Sequence, residues 1–155
     1  MNIALDANIL LRLADPTSAS HAVAARAVST LRAQGDILHI LPQSVYEFWV
    51  VATRPIANNG LGLSITECGR DVANLESAFP ILNDKPGLFM EWRTVVSAFA
   101  CQGKVAHDAR YVAALRTHGL THLLTFNAGD FSRYTGITVL DPSIIAGTAP
   151  PSTVP

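Results

Sequence analysis

Four acidic residues, widely separated in the sequence, have the clearest potential for chemistry: Asp6, Glu47, Asp108 and Asp130. Carboxylates gathered into one cluster repel each other and take up protons, unless a cation lies between them. A set of oxygen ligands without cysteine or histidine suits Mg²⁺ or Mn²⁺ better than Zn²⁺. Because Mg²⁺ also binds phosphate oxygens, the chemistry that such a cluster would support is metal-assisted hydrolysis of a phosphodiester.

Short apolar segments alternate with longer amphipathic ones, and this order predicts the elements that would position the acids. Strands are predicted at 2–5, 37–41, 79–82, 122–126 and 137–140. Helices are predicted directly after Asn8 and at 18–33, 42–54, 64–78, 86–101 and 107–118, with a short turn or helix at 127–134. Strands separated by helices pair in parallel through right-handed crossovers. We therefore predict an α/β fold, a three-layer α/β/α sandwich around a mainly parallel sheet of four or five strands.

Three of the acids are expected at the carboxyl ends of the strands, where such folds bind their ligands. Asp6 directly follows the first predicted strand, and Asp130 lies four residues beyond the strand at 122–126. Asp108 begins a predicted helix that is apolar enough to pack on the sheet, which would leave its carboxylate at the helix N-terminus. Asp is also a favoured N-cap residue, so a capping role for Asp108 is an open alternative.

Glu47 lies in the apolar helical stretch 45–51, where few positions face solvent. Burying an unpaired carboxylate there would be very unfavourable. Either Glu47 belongs to a narrow polar stripe with Gln43, Ser44 and Arg54, or a cation meets it in a cleft. The combination of four acids near one edge of the sheet favours the cation.

The length of 155 residues fits one domain, predicted at 1–146, followed by a flexible Pro-rich tail at 147–155. A hydrophobic fraction of 49% and a charged fraction of 15% suit a buried parallel sheet. The two cysteines have neither the spacing of a zinc site nor the density of a disulfide framework.

The charge balance and the first residues limit partners and location. Eleven Lys and Arg against twelve Asp and Glu give a net charge of -1, so any contact with nucleic acid must be local. The first residues lack the basic region of a signal peptide, and no apolar run reaches the roughly 20 residues of a membrane span. We therefore expect a cytoplasmic protein that does not insert into a membrane.

Four motifs in this order resemble the PIN domain, in particular its VapC-like toxin branch. They are Leu-Asp-Ala-Asn at 5–8, Ser-Val-Tyr-Glu at 44–47, His-Asp-Ala-Arg at 107–110 and Leu-Thr-Phe-Asn-Ala-Gly-Asp-Phe at 124–131. The resemblance covers residues 2 to about 142. It implies a PIN-like fold and a metal-dependent endoribonuclease, the toxin of a type II toxin–antitoxin pair, which hydrolyses RNA phosphodiesters by metal-activated water.

The same resemblance implies roles for individual residues and for partners. The catalytic residues and ligands of Mg²⁺ (or Mn²⁺) would be Asp6, Glu47, Asp108 and Asp130. The supporting polar residues would be Asn8, Ser44, Thr125 and Asn127. Arg12 and Arg110 lie close in sequence to the acids and are candidate RNA contacts. The implied partners are an RNA substrate, a cognate antitoxin and a second copy of the chain in a homodimer.

Two other functions stay open at the level of sequence. A haloacid-dehalogenase-type phosphatase also begins with a strand that ends in Asp and uses Mg²⁺. It normally needs a second Asp two residues on, where this chain has Asn8. The other alternative is a non-catalytic PIN-like module that binds RNA or a protein through the same cleft.

Overall fold

A sheet of four parallel strands forms the centre of the computed structural model, which describes residues Met1–Gly147. The strands are β1 (Asn2–Leu5), β2 (Ile37–Ile40), β3 (His122–Leu124) and β4 (Thr138–Leu140). They lie in the order β2-β1-β3-β4, and all three pairings are parallel. The predicted α/β fold with a parallel sheet is confirmed, with four strands.

Seven α-helices flank this sheet within Met1–Gly147. They are α1 (Ala7–Ala14), α2 (His21–Ala33), α3 (Pro42–Thr53), α4 (Ile65–Ala78), α5 (Leu88–Ala98), α6 (Val105–His118) and α7 (Pro142–Gly147). Short 3₁₀ turns lie at Ile56–Asn58 and Ala128–Phe131. None of the helices in this part of the chain is long and apolar enough to cross a membrane.

The two faces of the sheet carry separate apolar clusters, which makes the fold three-layered. Ile3 and Leu5 of β1 are fully buried on the face covered by α1, α2, α3 and α4. Ala4, which points the opposite way in a strand, is buried on the face covered by α5 and α6. Because both faces are covered, the accessible place for chemistry is the edge at which the strands end.

Two local sequence signals act as expected. Ser64 caps α4 in a capping box, in which its hydroxyl accepts from the Glu67 backbone N–H and the Glu67 carboxylate accepts from the Ser64 backbone N–H. Pro42 lies in the first turn of α3, where its missing N–H costs no helical hydrogen bond.

The predicted strand at 79–82 is wrong, because it amounts to a single parallel bridge between Ile81 and Ile40. The Pro80 carbonyl accepts from the Ile40 N–H, and the Leu82 N–H donates to the Ile40 carbonyl. Proline has no N–H to extend this pairing into a ladder. The sheet therefore ends at β2.

Several predicted helix bounds were too wide. The helix predicted at 86–101 spans only Leu88–Ala98, because Gly87 and Ala100 have φ angles of 92° and 49°. The helix predicted at 18–33 begins at His21. At the C-terminal end, α7 was not predicted, and Gly147 is its last residue. The rest of the predicted tail, 148–155, lies outside the described residues.

Candidate active site

Asp6 lies where β1 ends and α1 begins, at the carboxyl edge of the sheet. It occupies the N-cap position of α1, yet its side chain makes no capping hydrogen bond. Instead, its Oδ2 accepts from the Thr125 hydroxyl at 2.6 Å and from the Asn8 amide at 2.8 Å. The side chain is only 7% exposed. This carboxylate is thus held at the sheet edge for a purpose other than capping.

A small polar network joins the start of α1 to the segment after β3. The Thr125 hydroxyl oxygen accepts from the Asn8 amide at 2.9 Å and from the Asn127 backbone N–H at 3.0 Å. Asn8 Oδ1 accepts from the Phe126 N–H at 3.2 Å. Asn8 and Thr125 therefore position Asp6, whereas the side chain of Asn127 is exposed.

Glu47 reaches the same edge from α3 and is half-buried. Its Oε1 accepts from the Gln43 amide at 2.7 Å, and its Oε2 accepts from the Tyr111 hydroxyl at 3.1 Å. The Tyr111 hydroxyl also accepts from the backbone N–H of Ala7, at 3.3 Å. Gln43 is the neighbour expected from a polar stripe, but Tyr111 turns Glu47 towards the junction that carries Asp6.

Ser44, in the first turn of α3, supports the backbone beside the site. It is fully buried, and its hydroxyl donates to the carbonyl of Leu5 at 2.7 Å. Leu5 directly precedes Asp6. Ser44 therefore stabilises the end of β1, and its hydroxyl bonds to the backbone rather than to one of the acids.

Asp108 lies in the first turn of α6, but the N-cap position belongs to Lys104. The capping alternative for Asp108 is therefore wrong. Burial raises the pKa of Asp108 to about 6, and the negative charges of Asp130, Asp6 and Glu47 act in the same direction. Asp130, Asp6 and Glu47 therefore lie near enough to affect the ionisation of Asp108.

The burial of the other acids differs. Burial is also the main reason why the pKa of Asp6 is raised, with a further contribution from Glu47. Asp130 is exposed on the 3₁₀ turn Ala128–Phe131. Asp130 is therefore the most solvent-exposed of the four acids.

Tyr111 stays protonated beside Asp6 and Glu47. The side chain is 1% exposed, and burial together with the charges of Asp6 and Glu47 holds its pKa well above the ordinary value. A protonated phenol can donate its hydrogen bond to Glu47.

The donor set fits a hard divalent ion that keeps part of its water shell. The four side chains offer only carboxylate oxygens, and their mutual repulsion would be relieved by a cation. Within Met1–Gly147, however, no three Asp, Glu, His or Cys side chains are already arranged to hold one metal ion. Mg²⁺ commonly binds through one or two carboxylates, with waters and substrate phosphates as the remaining ligands. The arrangement suits that type of binding better than a closed cage.

The two arginines named as candidate RNA contacts already have neighbours. Arg110 forms an ion pair with Asp84 and donates to Gln43 Oε1 at 3.3 Å. Arg12 lies in the last turn of α1, where its charge lowers the pKa of Asp15 as a minor contribution behind Thr17. Arg110 is thus linked to Glu47 through Gln43, while Arg12 lies at the end of α1 away from Asp6.

Tyr111 lies in the helix that was predicted only to be apolar enough to pack on the sheet, and no role was predicted for its hydroxyl. A buried tyrosine hydroxyl needs a hydrogen-bond partner, and Tyr111 lies one turn after Asp108 in α6. That combination was the available signal. Gln43 was predicted only as part of a narrow polar stripe on the helix. It lies one turn before Glu47, at the spacing of a helical side-chain pair.

Comparisons by sequence and by structure give different results. No family model matches the chain, and no curated protein matches it significantly. A chain of the Rickettsia felis VapBC2 complex, crystallised with a fragment of promoter DNA, has a TM-score of 0.70 at 13% identity, covering 91% of this chain and 98% of that one.

Two further solved structures are similar over most of their length. A chain of a Klebsiella pneumoniae toxin–antitoxin complex is 22% identical with a TM-score of 0.61, covering 90% of this chain and 97% of that one. VapC20 of Mycobacterium tuberculosis, described as a toxin that cleaves the sarcin–ricin loop, is 16% identical with a TM-score of 0.58, covering 84% and 95%. Likeness at these identities establishes the fold. The chain therefore has the PIN-like α/β/α fold that these VapC-type toxin structures share.

Proposed function

We propose that this protein is an endoribonuclease that depends on Mg²⁺ or Mn²⁺, and that it is the toxin of a toxin–antitoxin pair. The observation that carries the proposal is that Asp6, Glu47 and Asp108 lie towards the carboxyl edge of the sheet, near enough for Asp6 and Glu47 to act electrostatically on Asp108. Asp6 and Glu47 are fixed by hydrogen bonds to their side-chain oxygens. Burial and the charges of the other acids raise the pKa of Asp108. Neither Asp6 nor Asp108 caps a helix with its side chain, so helix capping does not explain why these acids lie near one another.

The residues of the cluster have separate tasks in the proposed reaction. Asp6, Glu47 and Asp108 would surround the ion, and Asp130 lies on the open side where RNA would approach. A bound Mg²⁺ or Mn²⁺ would activate a water molecule and offset charge on the phosphate oxygens. Asp108 and Glu47 are the carboxylates available to orient the attacking water or accept its proton. The reaction needs no covalent link to the protein.

The structural neighbours support the toxin part of the proposal. One is described as cleaving the sarcin–ricin loop, and others are solved as toxin–antitoxin complexes, in one case with promoter DNA. By analogy, we propose that this chain cleaves RNA and is inhibited by a cognate antitoxin. The homodimer stays a prediction.

The phosphatase alternative fits the site less well. Asn8 stands where a second aspartate would act as an acid, and its amide donates to Asp6 Oδ2. Thr125 donates to the same oxygen. The Asn8 amide cannot donate a proton to a leaving group as a carboxylic acid can, so this position argues against the phosphatase.

Purified protein, freed from any bound partner, is expected to cleave RNA internally when Mg²⁺ or Mn²⁺ is present and to stop when a chelator is added in excess. Gel analysis with end mapping should find 5′-phosphates on the products. Small phosphomonoesters, tested in parallel, should release no phosphate. Cleavage that continues at full rate in excess chelator, or phosphatase activity without RNA cleavage, would refute the proposal.

A further inference from the structure

We propose that Tyr111 is a positioning residue that sets the relative placement of the Asp6 and Glu47 carboxylates, and so determines how tightly the site binds a divalent ion. The inference rests on the proposed metal-dependent function.

The Tyr111 hydroxyl connects the elements that carry the two acids. It donates to Glu47 Oε2 on α3 at 3.1 Å and accepts from the N–H of Ala7 at 3.3 Å. Ala7 is the residue directly after Asp6, at the start of α1. One buried oxygen on α6 therefore fixes both the end of β1 and the side chain of Glu47.

The ring that carries this hydroxyl has little freedom to move. Tyr111 is 1% exposed, and its ring packs edge to face against Phe131 with centroids 6.2 Å apart. Ordered side chains of this kind hold a ligand in place without loss of rotamer freedom when the ion binds.

Glu47 is held from its other side as well, so each of its oxygens has one donor. Gln43 donates to Oε1 at 2.7 Å and also to the carbonyl of His107 at 2.9 Å. Arg110 donates to Gln43 Oε1 while it pairs with Asp84, which keeps the amide in this orientation. A carboxylate oxygen can accept more than one bond, so both oxygens of Glu47 retain capacity to bind a cation.

The expected effect of losing the hydroxyl is on ion affinity. Tyr111→Phe keeps the ring and removes one hydrogen bond to Glu47 and one from Ala7. Loss of an outer partner of a metal ligand weakens binding by roughly 10- to 100-fold, and we expect about 10-fold for this variant. At saturating Mn²⁺, RNA cleavage should return close to the wild-type rate.

The test measures Mn²⁺ binding directly, by calorimetry or by the electron paramagnetic resonance signal of free Mn²⁺, on wild type and Tyr111→Phe. Tyr134→Phe is the matched control, because Tyr134 is also buried but its hydroxyl contacts the Val105 carbonyl and Cys101 rather than Glu47. Its Mn²⁺ affinity should be unchanged. Gln43→Leu, which removes the donor to Oε1, is the second variant if Tyr111→Phe does not fold, and it should also weaken binding.

The outcomes separate the inference from the function on which it rests. Wild-type protein that binds Mn²⁺ while Tyr111→Phe binds it equally well would overturn the positioning role alone, even if the variant melts at a lower temperature. Wild-type protein that binds no Mn²⁺ would overturn both. Weaker binding in Tyr111→Phe and unchanged binding in Tyr134→Phe would establish the role.

Discussion

Replacing Asp6 by asparagine is expected to reduce RNA cleavage by at least about 10³-fold, more than the roughly 10- to 100-fold that loss of an outer partner costs. The reason is that Asp6 is the acid most firmly held at the sheet edge, with Thr125 and Asn8 both donating to its Oδ2. An amide oxygen can accept those bonds but carries no charge with which to hold a cation. Initial rates on a defined RNA, with Mn²⁺ titrated to saturation, would measure the effect.

The fold of Asp6→Asn should be intact, because the substitution keeps the shape of the side chain and removes a charge that burial disfavours. Circular dichroism and the melting temperature would check this. Glu76→Gln makes the same charge change at an exposed position of α4 and should cleave RNA like the wild type. Substantial cleavage by a folded Asp6→Asn protein would remove Asp6 from the proposed site.

Mn²⁺ is expected to stabilise the wild-type protein strongly. A ligand at about 1,000 times its dissociation constant adds about 4 kcal/mol to the free energy of unfolding, which corresponds to a rise of roughly 10 °C in the melting temperature of a domain of this size.

In metal-free protein, Asp108→Asn should itself be stabilising, because the Asp108 carboxylate is half-buried and is repelled by Asp130, Asp6 and Glu47. After allowance for solvent screening, we expect a gain of about 1 kcal/mol at pH 7.5.

The pH dependence of that gain follows from the raised pKa of Asp108. The folded protein holds the Asp108 proton more tightly than the unfolded chain, so the contribution of Asp108 to the stability of the metal-free wild type falls as pH rises from about 4 through about 6. The difference in the free energy of unfolding between wild type and Asp108→Asn should therefore be absent at pH 4 and reach its full size above pH 6. Thermal melts in chelator across this range would measure it.

The Mn²⁺ response provides the control for the same variant. Asp108→Asn should show a smaller rise in melting temperature with Mn²⁺, while Glu76→Gln should respond like the wild type. An Asp108→Asn protein that is less stable than wild type in chelator, and that responds fully to Mn²⁺, would contradict the idea that Asp108 belongs to the cluster.

Much of the fold could be predicted because local signals and the hydrophobic pattern agree. The apolar run at Asn2–Leu5 and the capping box at Ser64 mark elements that the structure contains with nearly the same bounds. The predicted strand at 79–82 failed because apolar character alone does not supply the N–H that Pro80 lacks. The helix α7 was missed, although Asp141 before Pro142 is a helix start signal, and the Ser143 N–H does bond to Asp141.

The position of Asp6 at the sheet edge could be predicted because it follows a strand, whereas the contacts of Glu47 and Arg110 could not be predicted. Asp6 was placed correctly at the sheet edge because a parallel sheet brings its carboxyl ends together. The link between Glu47 and Tyr111 depends on how α3 and α6 pack, which residue spacing does not determine. The ion pair of Arg110 with Asp84 depends on the loop before α5, whose path is equally hidden from sequence patterns.

The most direct test is to locate Mn²⁺ by anomalous diffraction from crystals grown with the ion at a concentration that supports RNA cleavage. The account predicts an anomalous peak bounded by the carboxylates of Asp6, Glu47 and Asp108, with water completing the coordination. A peak at another place, or no peak while the protein cleaves RNA under the same conditions, would contradict the claim that these acids form a cation site.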